Sequence, residues 1–315
     1  MGLFIGMDEA GYGPNLGPLV VTVTAWEVPG EPSAFDFWNE LNDVVTQSPV
    51  RGDPRLHIAD SKQVYTPARG LKSLERSVLS AVNLAGFYPA GFRELYGSLI
   101  ADEHTLLDVE PWFRNSDLKL PTQQHAQKLS DITERWKRLC DQRGIRLCAI
   151  KSDVVLTERF NRLTRDYDSK GVALSRISLR LLRSVWNPDE TQPVLIVADK
   201  HGGRNRYDGL LDEVLDGRMI FRGREGKERS TYKVGNAEVR FQMKAESHFP
   251  VALASMVSKY VRELAMTLFN RFWQEHLPDL KPTKGYPQDA RRFRQEIAEV
   301  QSRLGIPDDV LWRAR

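Results

Sequence analysis

Only two cysteines, Cys140 and Cys148, occur in 315 residues. That is too few for a disulfide framework or a cysteine metal knuckle, and it points to a reducing compartment. No stretch approaches 18 uninterrupted apolar residues, and no basic segment followed by a long apolar run opens the chain. A membrane-spanning helix and a secretory signal are therefore not expected, and the expected location is cytoplasmic. Charge of one sign is also lacking: 45 Lys and Arg against 42 Asp and Glu leave +3, with a pI near 8.8. Such a balance suits a nucleic-acid partner only where the cations cluster. The chain has no G-x-x-x-x-G-K-[ST] loop, no G-x-S-x-G elbow and no zinc-type histidine pair. It shows no internal repeat and no low-complexity tract. With 41% hydrophobic and 28% charged residues, it reads as an ordinary globular chain with material for a sizeable core.

The most informative stretch runs from Phe4 to Val21. A short apolar run ends in two adjacent carboxylates, Asp8 and Glu9. A turn rich in Gly and Pro follows, and then a β-branched run from Leu19 to Trp26. The pattern predicts two strands around a turn, so residues 1–28 read as a hairpin or a pair of neighbouring strands. Neighbours on a strand point to opposite faces, so two acids fit only where the strand ends. Placing them there is costly unless a positive group stands beside them, and hard cations such as Mg²⁺ take oxygen ligands. Gly11, Gly13 and Gly17 let backbone N–H groups approach a ligand, and such nests bind phosphate. The dipeptide alone also reads as the start of a polar turn.

Strand and helix patterns alternate along the rest of the chain, as in an α/β domain. A helix is expected from Pro67 to Leu84, another from about Gln124 to Gly144, and a long amphipathic helical region from Phe160 to Val185. Pro193–Ala198 fits a strand buried on both faces. One long helix is expected over Lys244–Asn270 and a last one over Gln288–Leu304. Residues 29–56, 85–129 and 207–243 read as insertions within one domain spanning 1–315, with 85–129 as an insertion or a surface lobe. The densely charged Arg222–Lys233 segment suggests a β-hairpin arm.

Carboxylates stand where apolar runs stop or helices begin at Asp8, Glu9, Asp199 and Glu246. Asp199 alone also reads as a helix cap or loop acid, and Glu246 as a first-turn acid favoured by the helix dipole. Together they suit a clamp for two Mg²⁺ or Mn²⁺ ions about 3.5–4 Å apart, which activates water for in-line phosphodiester displacement. Ser255 and Lys259, four apart, share a helix face and suggest a phosphate clamp; a salt-bridging surface lysine is the plainer reading of Lys259. Tyr286 offers a ring for stacking on a sugar or base, or packs as a half-buried turn tyrosine.

These residues carry a resemblance. Asp8-Glu9-Ala10-Gly11-Tyr12-Gly13-Pro14-Asn15-Leu16-Gly17-Pro18-Leu19-Val20 is similar to the first motif of the type 2 ribonucleases H, ribonuclease HII and its relative HIII. Asp60-Ser61-Lys62, Val197-Ala198-Asp199, Lys244-Ala245-Glu246-Ser247 with Ala254–Lys259, and Lys284-Gly285-Tyr286-Pro287 resemble the later motifs in the same order. The resemblance implies a ribonuclease H-like α/β fold: a mixed central sheet flanked by helices, with insertions and a C-terminal helical part. It implies a metal-dependent endonuclease that hydrolyses the RNA strand of RNA/DNA hybrids to 5′-phosphate and 3′-hydroxyl ends. Asp8, Glu9, Asp199 and Glu246 would hold Mg²⁺ or Mn²⁺. Gly11, Tyr12, Gly13, Ser61, Lys62, Ser255, Lys259 and Tyr286 would meet the nucleic acid, and no membrane is involved.

Two departures stand out. Ribonuclease HII carries Arg, and HIII usually Lys, where this chain has Tyr12; Arg204 or Arg206 from the Asp199 loop is the expected replacement. About 45 residues separate Asp199 from Glu246, a longer connection than the family uses, and long connections are often functional. Two other readings stay open, a metal-dependent nuclease acting on another structure such as a DNA junction, and a non-catalytic hybrid-binding protein.

Overall fold

The computed structural model describes residues 1–101 and 106–314; residues 102–105, part of the 85–129 stretch, lie outside the described residues. The apolar run ending in Asp8-Glu9 is strand β1 (Gly2–Ala10), and the β-branched run after the turn is β2 (Leu19–Val28). They pair antiparallel from Gly2↔Val28 to Ala10↔Val20, the expected hairpin. Two short strands, β3 (Val45–Thr46) and β4 (Leu56–His57), form a separate parallel pair. The main sheet adds β5 (Arg146–Val155), β6 (Val194–Asp199), β7 (Phe221–Glu225), β8 (Arg229–Val234) and β9 (Ala237–Gln242). Its order is β5-β2-β1-β6-β9-β8-β7. β6 runs parallel to β1 and β9 parallel to β6, whereas β5, β8 and β7 join antiparallel. This is a mixed sheet flanked by helices on both faces, an α/β architecture as expected.

Strand alternation divides the core in two. Phe4, Trp26 and Val197 face the helix Phe249–His276, behind which lie the helices Lys72–Leu84 and Ala126–Arg143. Ile5, Val23, Ile196 and Val239 face the helix Lys170–Arg183. The long helix Phe249–His276 is apolar nearly all round, as a helix enclosed in a core must be. It crosses β1 so closely that a Cβ on Gly6 would fall 2.3 Å from the Pro250 carbonyl carbon.

Several elements differ from the sequence pattern. The 85–129 stretch is not a surface lobe: Trp112 and Phe113 are buried, and Trp112 packs edge-on against Phe269 at 4.8 Å. The region 160–185 is broken into the helices Thr157–Asp166 and Lys170–Arg183, because Asp168 takes a positive φ of 44° between them. The helix expected from Pro67 starts only at Lys72. The Arg222–Lys233 segment is a hairpin, and it extends the sheet beyond β9.

Candidate functional site

The parallel β1–β6 ladder ends with Met7 opposite Ala198, so Asp8 and Asp199 follow side by side just past its last pair, Asp8 still paired with Thr22 on β2. Gln242 ends β9 opposite Asp199, and Glu246 follows in the turn Ala245–Ser247, which Lys244 opens in a left-handed conformation (φ 57°). The Ala245 backbone N–H lies near enough to the Asp199 carboxylate to oppose the upward push of burial on it. Asp8 lies on the face of the long helix and is buried; Glu9 alternates away and is half-buried. The strand itself runs one residue beyond the two acids, to Ala10.

The four carboxylates share one electrostatic field. Burial pushes Asp8 up, and repulsion from Glu9 and Glu246 adds to it; Ser255 within hydrogen-bonding reach opposes. Glu9 is pushed up to about 7 by burial and then by Asp199, with Lys62 pulling the other way. Burial also raises Asp199 and Glu246, the latter helped by the charges of Asp199 and Asp60. Negative charge is thus under-compensated here, the condition in which a cation is most favoured. Among the described residues, no three acidic, histidine or cysteine side chains already stand as a metal cage.

The Asp60-Ser61-Lys62 segment faces this cluster. Asp60 caps the short helix Ser61–Val64 by accepting from the Lys62 N–H at 3.0 Å. Burial pulls the Lys62 ammonium down, but Asp60, Glu246, Asp8 and Asp199 outweigh it and hold it up. Ser61 Oγ lies 3.1 Å from Ser255 Oγ. Ser255 is the donor in that pair, and its hydroxyl also draws the Asp8 carboxyl down. Asp60 is a fifth carboxylate at the site, which the sequence reading passed over as part of a motif.

The glycine-rich turn is held from below. Gly285 O accepts from the Asn15 N–H at 2.7 Å and the Leu16 N–H at 3.3 Å, so the Lys284–Pro287 turn docks on the turn after β1. Gly285 has φ 80°, and a Cβ there would meet Leu16 O at 2.5 Å. Arg262 Nη2 donates to Leu16 O and Lys284 O, both at 3.1 Å, and Arg313 Nη2 donates to Tyr12 O and Pro14 O. Both arginines are fully buried; burial and the neighbouring Arg262 push Arg313 down to about 9. Neither was foreseen, although an arginine inside the apolar run of the long helix was a readable signal for Arg262.

The remaining expected residues separate. Ser255 and Lys259 share a helix face, and Lys259 Nζ is ion-paired to Glu263 at 2.7 Å. Lys284 also pairs with Glu263, which accepts from the Tyr65 hydroxyl at 2.8 Å. Tyr286 stands 53% exposed at the start of the helix Pro287–Arg303. The Tyr12 ring has Lys170 Nζ 5.0 Å from its centroid. Its hydroxyl is close to Gly202, where a Cβ would come within 3.3 Å. Arg204 acts on Tyr12 electrostatically, and its Nε is buried without a hydrogen-bond partner among the described residues. Arg206 turns instead towards Glu225, at 3.7 Å. A cation therefore does stand beside position 12, from Arg204 and from Lys170, which the sequence did not single out.

Comparison with known proteins adds the following. No family model matches the chain, and no curated protein does. Among solved structures it is similar to ribonuclease H2 from Pyrococcus horikoshii OT3, with a TM-score of 0.48 and 16% identity over 98% of this chain and 92% of that one. It is similar to ribonuclease HII from Archaeoglobus fulgidus, solved in a complex with PCNA, with a TM-score of 0.43 and 15% identity over 99% and 94%. Bst-RNase HIII in complex with Mn²⁺ gives a TM-score of 0.42 and 14% identity over 99% of this chain and 65% of that one. No helix among the described residues is long and apolar enough to cross a membrane.

Proposed function

We propose that this protein is a divalent-metal-dependent endonuclease that hydrolyses the RNA strand of RNA/DNA hybrids, leaving 5′-phosphate and 3′-hydroxyl ends. The observation that carries the reading is the convergence of Asp8, Glu9, Asp199 and Glu246, from three separate segments, into one under-compensated field beside Lys62. A pure binding protein gains nothing from presenting that field to phosphates.

The donor set fits Mg²⁺ or Mn²⁺, since all four groups are hard carboxylate oxygens. A bound divalent cation would offset the mutual repulsion among these carboxylates. A bound ion supplies Lewis-acid stabilisation of the phosphoryl oxygens and a nucleophilic water at neutral pH. The protein's own groups do the rest. Ser255, hydrogen-bonded to Ser61 and close to the Asp8 carboxylate, favours its ionised form. Lys62 offsets the cluster's charge and places an ammonium where a scissile phosphate must approach. The glycine-rich turn, fixed by Gly285, Arg262 and Arg313, presents backbone amides to the phosphate chain. Tyr286, exposed beside that turn, offers a face to a sugar or base.

A second reading, a metal-dependent nuclease acting on another nucleic-acid structure, is favoured by one observation: position 12 presents a phenol packed towards Gly202 in place of a cation. The test is end-group analysis of products from a labelled RNA/DNA hybrid incubated with Mn²⁺ or Mg²⁺. Fragments with 5′-phosphate and 3′-hydroxyl ends are expected, and 2′,3′-cyclic phosphate ends contradict water attack.

A further inference from the structure

The long connection between Asp199 and Glu246 builds the hairpin β7–β8, and the strand register fixes where it points. Asp199 pairs with Gln242, and Gln242 pairs with Arg229. Residues directly opposed across a sheet share a face. Arg229 therefore stands on the Asp8–Asp199 face and at the level of the carboxylates, two strands over and about 10 Å away. The hairpin is pinned in place by Lys200, the residue after Asp199. Its ammonium lies within hydrogen-bonding distance of Gly226 O at 2.6 Å, Arg204 O and Asn205 Oδ1 at 3.0 Å, and Ser230 Oγ at 3.2 Å, four acceptors for its three protons.

Between the hairpin and the Glu246 turn lies a groove of about 620 Å³ lined by Arg224, Lys227, Arg229 and Lys244, with Glu228 as its acid. All four cations are exposed, and none makes an ion pair or a side-chain hydrogen bond among the described residues. Their neighbours behave differently, for Arg222 is paired with Asp208 and Arg206 with Glu225. The four cations come from two strands, a tip and a following turn, so they form a row and not a closed cup. A row of unpaired cations suits a polyanion with regularly spaced charges.

We propose that this groove is a contact site for the phosphate backbone of a nucleic-acid duplex, extending the footprint from the carboxylates over β9 and onto the hairpin. About 10 Å corresponds to roughly three nucleotides at 3.4 Å per strand, so one backbone reaches both. The inference rests on the nuclease reading for the identity of the polyanion and adds a binding surface outside the reacting groups.

The test separates binding from cleavage. In full-length protein silenced by Asp8→Asn, affinity for a labelled RNA/DNA hybrid is measured by fluorescence anisotropy across 50–200 mM salt. The parent is compared with Arg224→Gln/Lys227→Gln/Arg229→Gln and with an equal-charge control, Lys281→Gln/Arg291→Gln/Arg303→Gln, drawn from exposed cations elsewhere. The hairpin variant is expected to bind at least about tenfold more weakly, with the slope of log K against log salt smaller by about 2–3; the control stays close to the parent. Equal binding and slope in the hairpin variant overturn the groove and leave the nuclease reading standing, and a control that loses as much also overturns it. Loss confined to the hairpin variant supports the groove even if the unsilenced protein cuts nothing, which sinks the nuclease reading alone. A parent that binds no hybrid sinks both.

Discussion

Glu263→Gln is the most quantitative perturbation the structure offers, because it removes the carboxylate from a buried knot of cations. The side chain is 2% exposed and is gripped by Lys259, Lys284 and the Tyr65 hydroxyl. Burial pushes its carboxyl up, but Lys259 and Lys284 outweigh that and hold it down at about 2, against an ordinary 4.5. At about 1.4 kcal/mol per pH unit this corresponds to roughly 3 kcal/mol. Lys284 is 44% exposed, so solvent screens its share and about 2–3 kcal/mol is expected. The folded-state value lies below the unfolded one, so the stabilisation is complete above pH 4.5 and is lost as pH falls towards 2. Urea unfolding of the wild type and the variant from pH 7 to 3.5 measures it. The stability gap should hold at about 2–3 kcal/mol down to pH 5, then shrink by about 1.4 kcal/mol per pH unit below 4.5. A gap that ignores pH, or one under about 0.5 kcal/mol at neutrality, refutes the charge argument. Because Lys284 adjoins Gly285, which holds Asn15, the same variant should also loosen the glycine-rich turn.

Three further outcomes follow from the geometry. Gly6→Ala should destabilise by at least about 2–3 kcal/mol, since its Cβ would meet Pro250 backbone at 2.3 Å; near-wild-type unfolding would show that the helix can back away from β1. Gly285→Ala combines a positive φ with a Cβ 2.5 Å from Leu16 O and should raise KM for a hybrid substrate; an unchanged KM would mean that this turn does not support binding. Glu9→Gln should stabilise the ion-free protein. Its carboxyl sits at about 7 in the folded state, pushed up by burial and Asp199, so the penalty is full above pH 7 and fades as pH falls towards 4.5. Thermal unfolding in chelator at pH 8 should show a gain of about 1–3 kcal/mol, and a loss would contradict the repulsion argument.

Strand ends and the acids beside them were more legible in the sequence than the long-range packing. Asp8, Glu9 and Asp199 were visible because each ends an apolar strand run, and parallel pairing of β1 with β6 then brings two of them level. The hairpin at 222–233 showed in its charge and alternation. Asp60 was hidden because a helix-capping acid looks the same whether or not other carboxylates gather around it. Arg313 gave no local sign, since its partners Tyr12 and Pro14 lie some 300 positions away. Helical spacing places Lys259 on the face of Ser255, but does not reveal its ion pair with Glu263, one turn further on. The 85–129 stretch reads as irregular because its order comes from burying Trp112 and Phe113 against other elements, not from any period of its own.

The central claim is tested most directly by hydrolysis of three labelled duplexes with Mg²⁺ or Mn²⁺: a full RNA/DNA hybrid, DNA carrying one ribonucleotide, and DNA alone, each with wild type and Asp8→Asn. The account predicts that the wild type cuts the hybrid, that DNA alone survives, and that Asp8→Asn cuts nothing. The single-ribonucleotide duplex reports what Tyr12, with Lys170 and Arg204 around it, does in place of the usual cation. Failure to cut the hybrid with either metal would contradict the account.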